Sequence, residues 1–214
     1  YFYLQQQLRL REQTALQAQI DALQARIRPH FLFNSMNSIA SLITVDPEKA
    51  EQAVIDLCDL FRASLSTANE TVPIADELTL CRKYAAIEQL RLGSRLQLQW
   101  NTGILPDNLT IPLLTLQPLL ENAIYHGIQP RPDGGCVTLD LSITDGICRI
   151  VITNPLPQGV ASRSDGNRIA IDNIRARLHA IYGATANLTL NTGAGLFIAT
   201  LSYPVQQHYP LELP

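Results

Sequence analysis

The hydrophobic pattern at the start of the chain is that of paired helices. Residues 4–28 contain no glycine or proline and are rich in helix-forming residues. Four aliphatic residues recur there with the four-three-four spacing of a coiled-coil seam: Leu16, Ile20, Leu23 and Ile27. The pattern predicts a long helix that pairs in a parallel homodimer, with a single solvent-exposed helix as the alternative. Pro29 removes a backbone donor, so we expect a kink there before the helix resumes through residue 43.

The next helix has a clear start signal. Asp46 is placed to cap it, Pro47 suits its first position, and its pattern runs to about Ser66. Its apolar face is predicted to consist of Val54, Leu57, Cys58, Phe61 and Leu65. Two such antiparallel helices form a hairpin, and two hairpins in a dimer form a four-helix bundle. The polar residues 66–73 then predict a boundary between a bundle domain, 1–69, and a second domain, 70–214.

The second half of the chain mixes helical and strand periodicities. Three helices are predicted: 74–92, ending at Gly93; a run opened by Pro112 and closed near Gly127; and 169–182, ending at Gly183. The predicted strands are 95–101, a hairpin over 136–153 around Asp145-Gly146, and a hairpin over 187–203 that turns at 191–194. Residues 155–167 have the composition of a loop. This order predicts an α+β fold, with a helical bundle followed by a two-layer sandwich of helices on a mixed sheet.

Composition narrows the class of protein. Hydrophobic residues make up 46% of the 214, enough for a core, and a net charge of −3 without a basic block gives no reason to expect direct contact with nucleic acid. The 4 cysteines lack metal-site spacing and are interpreted as reduced thiols. No apolar run reaches the roughly 20 residues that span a bilayer. Because the chain opens inside a helical pattern without an initiator methionine, we expect it to be a piece of a longer protein.

A line of polar residues follows Pro29. His30, Asn34 and Asn37 are spaced so that they stack on one face of a helix, beside Phe31 and other large apolar residues. A helix that only packs in a core does not usually carry such a line of polar residues beside large apolar ones. The spacing therefore indicates that His30 is a reactive imidazole, to which the rest of the chain brings a reactive group.

A second polar cluster lies in an otherwise apolar helical run. Residues 117–127 read QPLLENAIYHG, and within them Glu121, Asn122 and His126 are polar. Burying such groups without partners costs a few kcal/mol, so they are predicted to face a cavity that holds a polar ligand. An asparagine carbonyl suits Mg²⁺, and Glu121 could hold a water or accept a proton. The alternative is a buried network whose hydrogen bonds are satisfied internally.

These two stretches together resemble a known family. The sequences HFLFN at 30–34 and LENAIYHG at 120–127, in this order, are similar to those of the LytS/AlgZ-like group of bacterial sensor histidine kinases. The resemblance covers nearly the whole chain, and it also includes ELTLCRKYAAIEQLRLG as a linker helix and DNIRARLHAIYG as the helix after an ATP lid. It implies a dimerisation and phosphotransfer bundle followed by a Bergerat-type (GHKL) ATP-binding domain.

The resemblance also implies an activity and partners. With ATP and Mg²⁺ as cofactors, His30 would be autophosphorylated, and the phosphoryl group would pass to an aspartate in the receiver domain of a response regulator, typically of the LytTR type. Segments upstream of Tyr1 would anchor the protein, which makes this chain the cytoplasmic portion of a bacterial inner-membrane protein. Two alternatives are a non-catalytic dimeric scaffold with a degenerate lid and a Bergerat-type ATPase that is no kinase.

The resemblance assigns roles to individual residues. His30 resembles the phosphoacceptor, Asn34 would position the phosphoryl group or a hydrolytic water, and Asn122 resembles the Mg²⁺ ligand. Glu121 and His126 would be the other polar members of the nucleotide box. Glu88 and Arg91 are interpreted as an ion pair on a helix surface, with docking of the two domains as the alternative.

The chain departs from the family pattern at several positions. Phe31 stands where most sensor kinases have an acid. The LytS-like group shares this departure. Asn154, followed by Pro155, stands where an aspartate usually accepts a hydrogen bond from the adenine amino group. Of the lid's glycines only Gly166 remains, and Arg168 either supplies charge to the phosphates or blocks the site. Asp172 and Asn173 are predicted to cap the last helix, with a phosphate-facing role for Asn173 as the alternative.

Overall fold

The structure is a computed structural model that describes residues 29–66, 70–106, 108–156 and 165–205. The chain divides into two compact units, Tyr1–Ser66 and Thr67–Pro214. The predicted coiled coil over 4–28 lies outside the described residues. Among the described helices, none is both long enough and apolar enough to cross a bilayer.

The first unit contains a helical hairpin. Helix α1 is Pro29–Leu42 and helix α2 is Pro47–Leu65. The predicted start of α2 is confirmed, because the Asp46 carboxylate accepts a hydrogen bond from the Lys49 backbone N–H at 3.1 Å and Pro47 occupies the first turn. The residues predicted as the apolar face of α2 lie on one side of this helix. In the single chain Leu57 is buried, whereas Val54, Cys58 and Leu65 are exposed. The residues of α2 that are buried within the single chain include a stripe of smaller side chains: Ala50, Ala53, Leu57, Leu60 and Ala63.

In the second unit, the described residues form three longer helices or helical runs and seven strands. Its helices are α3 (Ile74–Leu92), α4 (Leu116–Asn122), which continues as a π-helical turn (Ala123–Ile128), and α5 (Asp165–Tyr182). Its strands are β1 (Thr71–Pro73), β2 (Leu96–Asn101), β3 (Thr110–Pro112), β4 (Gly135–Thr144), β5 (Ile147–Pro155), β6 (Asn187–Gly193) and β7 (Leu196–Pro204).

Five of the strands form one mixed sheet in the order β2-β4-β5-β7-β6. The pair β2 and β4 is parallel and the other pairs are antiparallel, so the predicted mixed sheet and both predicted hairpins are confirmed. Alternate residues of the central strands are buried, for example Ile150, Ile152 and Asn154 on β5. The helices pack on this buried face, which gives the predicted two-layer arrangement.

Two predicted helix starts are wrong. Pro112 does not open a helix: it lies in β3, opposite Thr71 of β1, and Leu114 has a φ of 57° that no right-handed helix allows. Helix α4 therefore begins only at Leu116. Helix α5 begins at Asp165, four residues before the predicted start, because residues 167–182 contain no glycine or proline to oppose a helix. Asp172 and Asn173 thus lie within α5, so their predicted capping role is wrong.

Candidate functional site

The run that carries the predicted nucleotide box is not a regular α-helix. Helix α4 passes into a π-helical turn at Ala123, and the Gln129 N–H donates to the Ile124 carbonyl, five residues back, at 2.9 Å. The turn packs against β4 and β5 through its buried isoleucines. Single π turns are rare and often occur at functional sites.

The three polar residues of the box differ in exposure. Asn122, the last residue of α4, is buried, with 6% of its surface exposed. Glu121 and His126 are half-buried, and the His126 ring lies edge-on to Tyr125 with 4.9 Å between ring centroids. The box therefore joins a buried amide to two half-buried side chains, of which Glu121 has one oxygen, Oε1, shielded from solvent.

Asn154 and Gly127 are brought into direct contact. A Cβ atom on Gly127 would lie 2.1 Å from Asn154 Nδ2, so the asparagine side chain occupies the space above this glycine. Asn154 belongs to the buried face of β5 and is 3% exposed. In the sequence these two residues belong to separate motifs. They come into contact because the end of β5 packs against the π turn.

The amide of Asn154 can adopt only one orientation. Its Nδ2 donates to the Pro155 carbonyl oxygen at 2.8 Å. Since a carbonyl oxygen only accepts, the NH₂ group has to face it, and Oδ1 has to face the opposite way. Oδ1 is buried and has no hydrogen-bond partner among the described residues. An unpaired buried acceptor costs about 1–3 kcal/mol, so this oxygen is suited to a ligand that brings a donor, such as an exocyclic amino group.

His30 and Asn34 meet on α1 of the first unit. The Asn34 amide nitrogen lies 3.1 Å from Nδ1 and 3.2 Å from Nε2 of the exposed His30 ring. An N–H can donate only to an unprotonated ring nitrogen, and the reverse amide assignment would let Oδ1 accept a ring N–H. In both cases Asn34 restrains the imidazole. Asn37, on the same helix, is exposed.

The other predicted site residues lie on α5. The backbone of Gly166 and Arg168 forms the first turn of this helix, where a lid loop was predicted. Asn173 is exposed further along it.

Two buried acids on α3 were missed or misread. Glu77 was not singled out, yet it is fully buried and accepts hydrogen bonds from the backbone at the start of α4. Glu88 was predicted on a helix surface; it is 4% exposed, and its ion pair with Arg91 is largely shielded from solvent. The available signal was that both acids occupy core positions of the apolar stripe of α3.

Known proteins resemble this chain over most of its length. The family model described as histidine kinase matches residues 18–96. The sensor histidine kinase YpdA of Escherichia coli K12 is 35% identical over 178 residues, which cover 79% of this chain and 31% of that protein. The sensor protein LytS of Oceanobacillus iheyensis is 34% identical over 200 residues, which cover 85% of this chain and 34% of that protein.

One solved structure supports the fold. A bacterial phosphotransferase is similar with a TM-score of 0.51 and 13% identity, over 85% of this chain and 94% of that chain. At this identity the likeness concerns the fold alone. The chain spans about a third of the length of the curated relatives it matches. The chain belongs to the histidine kinase family, and LytS-type sensor histidine kinases are among its relatives.

Proposed function

We propose that this chain is the kinase core of a two-component sensor: the second unit binds Mg-ATP, His30 takes up the phosphoryl group, and an aspartate in the receiver domain of a LytTR-type response regulator receives it. The proposal includes a homodimer paired through residues 4–28 and a membrane anchor upstream of Tyr1, with both units on the cytoplasmic side of a bacterial inner membrane. The observation that carries it is the Oδ1 of Asn154, in a chain of this family: it is buried, it has no hydrogen-bond partner among the described residues, and its side chain packs against Gly127.

The residues of the second unit fit a purine nucleotide and its metal. Asn154 Oδ1 accepts from the adenine amino group, as the carboxylate does in relatives that have aspartate there. The Asn122 amide oxygen is the Mg²⁺ ligand, and Glu121 and His126 line the phosphate side. Gly166, Arg168 and Asn173 approach the phosphates from α5. When bound, ATP supplies the γ-phosphoryl group, and the protein contributes positioning and charge neutralisation.

The residues of the first unit fit a phosphoacceptor. The His30 ring is exposed, and a neutral imidazole is nucleophilic through the nitrogen that keeps its lone pair. With the Asn34 amide turned so that its Oδ1 accepts the ring N–H, Asn34 holds the protonated nitrogen, and the other nitrogen keeps its lone pair for the attack. Asn34 thus takes the positioning role that an acid plays where one follows the histidine; Phe31 cannot provide it.

Labelling with Mg-ATP tests the proposal. We expect the protein incubated with γ-labelled Mg-ATP to acquire phosphate that is stable in base and lost in acid, as a phosphoramidate is. Steady phosphate release without any protein label would identify an ATPase instead. Absence of nucleotide binding would identify a non-catalytic scaffold.

Restoring the aspartate that the family usually has at position 154 is expected to weaken nucleotide binding. In Asn154→Asp a carboxylate oxygen replaces Nδ2 and faces the Pro155 carbonyl, so two acceptors oppose each other where a 2.8 Å hydrogen bond existed. Burial and this repulsion raise the pKa of the new carboxyl above its ordinary value. A protonated carboxyl can donate to Pro155, so affinity and stability should be best below that pKa and should fall as the pH rises through it.

Calorimetric titration with Mg-ADP at pH 5.5 and pH 8 measures this effect. At the higher pH we expect affinity to fall about tenfold, equivalent to one lost hydrogen bond. Asn191→Asp, at an exposed position of β6, is the matched control and should bind as the unaltered protein does. Equal or tighter binding by Asn154→Asp at pH 8 would show that the amide is not locked.

A further inference from the structure

Glu77 of α3 binds the start of the helix that leads to Asn122. Its Oε2 accepts from the Leu114 N–H at 2.8 Å, and its Oε1 accepts from the N–H groups of Leu116 and Gln117 at 2.8 and 3.3 Å. The first N–H groups of a helix have no partner within it, so they need an acceptor from elsewhere. Here the acceptor comes from about forty residues earlier in the chain.

Helix α4 has no local cap that could replace this carboxylate. Thr115, at its N-cap position, makes no capping hydrogen bond, because its hydroxyl donates to the Pro112 carbonyl at 2.6 Å. Burial raises the pKa of Glu77, and the backbone N–H donors oppose that rise. Both oxygens accept hydrogen bonds, which an amide side chain cannot do.

Two further contacts hold the same segment. Arg177 of α5 donates to the carbonyls of Leu113 and Leu114 at 2.7 and 2.9 Å, so the turn before α4 is bound by an anion from one helix and a cation from another. At the far end, Arg95, which follows α3, donates to the carbonyl of Gln129, directly after the π turn, at 2.9 Å. The start of the run that carries Asn122 is therefore bound to α3, and its end is bound to Arg95 in the turn after α3.

We propose that Glu77 is a positioning residue for the nucleotide site: its carboxylate fixes where α4 begins and thereby fixes Asn122 and Glu121. A helix advances a fixed rise per residue, so a displaced first turn displaces the residues that follow it. The inference rests on the proposed function for its effect on nucleotide binding. The effect of Glu77 on the stability of the first turn of α4 can be measured without nucleotide.

Glu77→Gln tests the inference, with Asp76→Asn as the matched control, since Asp76 is the exposed neighbour on α3 and loses the same charge. In Glu77→Gln the NH₂ group faces backbone N–H groups. We expect hydrogen-exchange protection of the amides in 114–122 to fall about tenfold or more while the strands of the sheet keep theirs, and Mg-ADP affinity to fall by about the same factor. Asp76→Asn should change neither.

The outcomes separate the two proposals. Unchanged exchange in 114–122, or uniform loss across the whole second unit, overturns the positioning role, as does unchanged Mg-ADP affinity. If the unaltered protein binds no Mg-ADP, the proposed function fails, and local loosening in Glu77→Gln would still establish the fastening of α4. Should Glu77→Gln not fold, Arg177→Met releases the same turn from α5 and is expected to give the same local exchange pattern.

Discussion

Replacement of His30 by glutamine is expected to abolish phosphate incorporation from Mg-ATP. Glutamine has a similar reach and polarity, but its amide nitrogen has no available lone pair and cannot attack a phosphoryl group. Because the side chain is exposed on α1, the substitution should leave stability within about 0.5 kcal/mol of the unaltered protein. Acid-labile label retained per mole of protein is the measurement, and we expect it to fall to background.

His179→Gln is the matched control for this experiment. His179 is exposed on α5, and its replacement changes the same chemical group outside the proposed acceptor position. It should incorporate phosphate as the unaltered protein does. Label that persists in His30→Gln, or that disappears equally in both variants, would remove His30 from the acceptor role. Nucleotide affinity should be the same in all three proteins, because His30 lies in the other unit from Asn154.

Local signals that require a particular backbone were predicted well. Gly93 has a φ of 57° where it ends α3, and the Asp145-Gly146 turn has φ values of 52° and 72° at its two residues. Few residues tolerate such conformations, so their positions in the sequence mark the ends of elements. Asp46 as the cap and Pro47 in the first turn of α2 were likewise predicted from the local sequence.

Features that depend on distant partners were not predictable in this way. Pro112 suits the first turn of a helix as well as the edge of a strand, and only its pairing opposite Thr71 decides between them. The buried position of Glu77 likewise follows from backbone groups far along the chain that bind it. Glu88 is bound by Arg91 of the same helix, and Arg91 in turn donates to Gln129 in a distant part of the chain. Sequence spacing also could not show that a π turn follows Asn122 and includes His126.

For the proposed site, the sequence supplied the residues and the fold supplied their grouping. The end of β5 continues the alternation of inward-facing residues from Ile150 and Ile152, so Asn154 was recognisable as a polar residue at a core position. Its contact with Gly127 was not recognisable, because it depends on how closely the π turn approaches the sheet.

Gly127→Ala is expected to eliminate nucleotide binding and to destabilise the second unit. In a helical turn alanine is normally better than glycine by about 1 kcal/mol. Here the new methyl group would lie 2.1 Å from Nδ2, 2.7 Å from Cγ and 2.9 Å from Cβ of Asn154, so the side chain has to leave its place and lose its bond to Pro155. Crowding of this kind costs about 1–3 kcal/mol, which outweighs the helical gain.

Two comparisons distinguish crowding at the site from a general effect of the substitution. Gly193→Ala introduces the same methyl group where no atom lies within 4 Å, so the free energy of unfolding and Mg-ADP affinity should hardly change. In the double variant Gly127→Ala with Asn154→Ala, the clash is removed but the acceptor is lost with it. Thermal unfolding should then return towards that of the unaltered protein while Mg-ADP binding stays absent, because stability depends on relieving the crowding at Gly127 and binding depends on Asn154 Oδ1, which the double variant lacks. Recovered binding in the double variant would mean that Asn154 Oδ1 takes no part in holding the nucleotide.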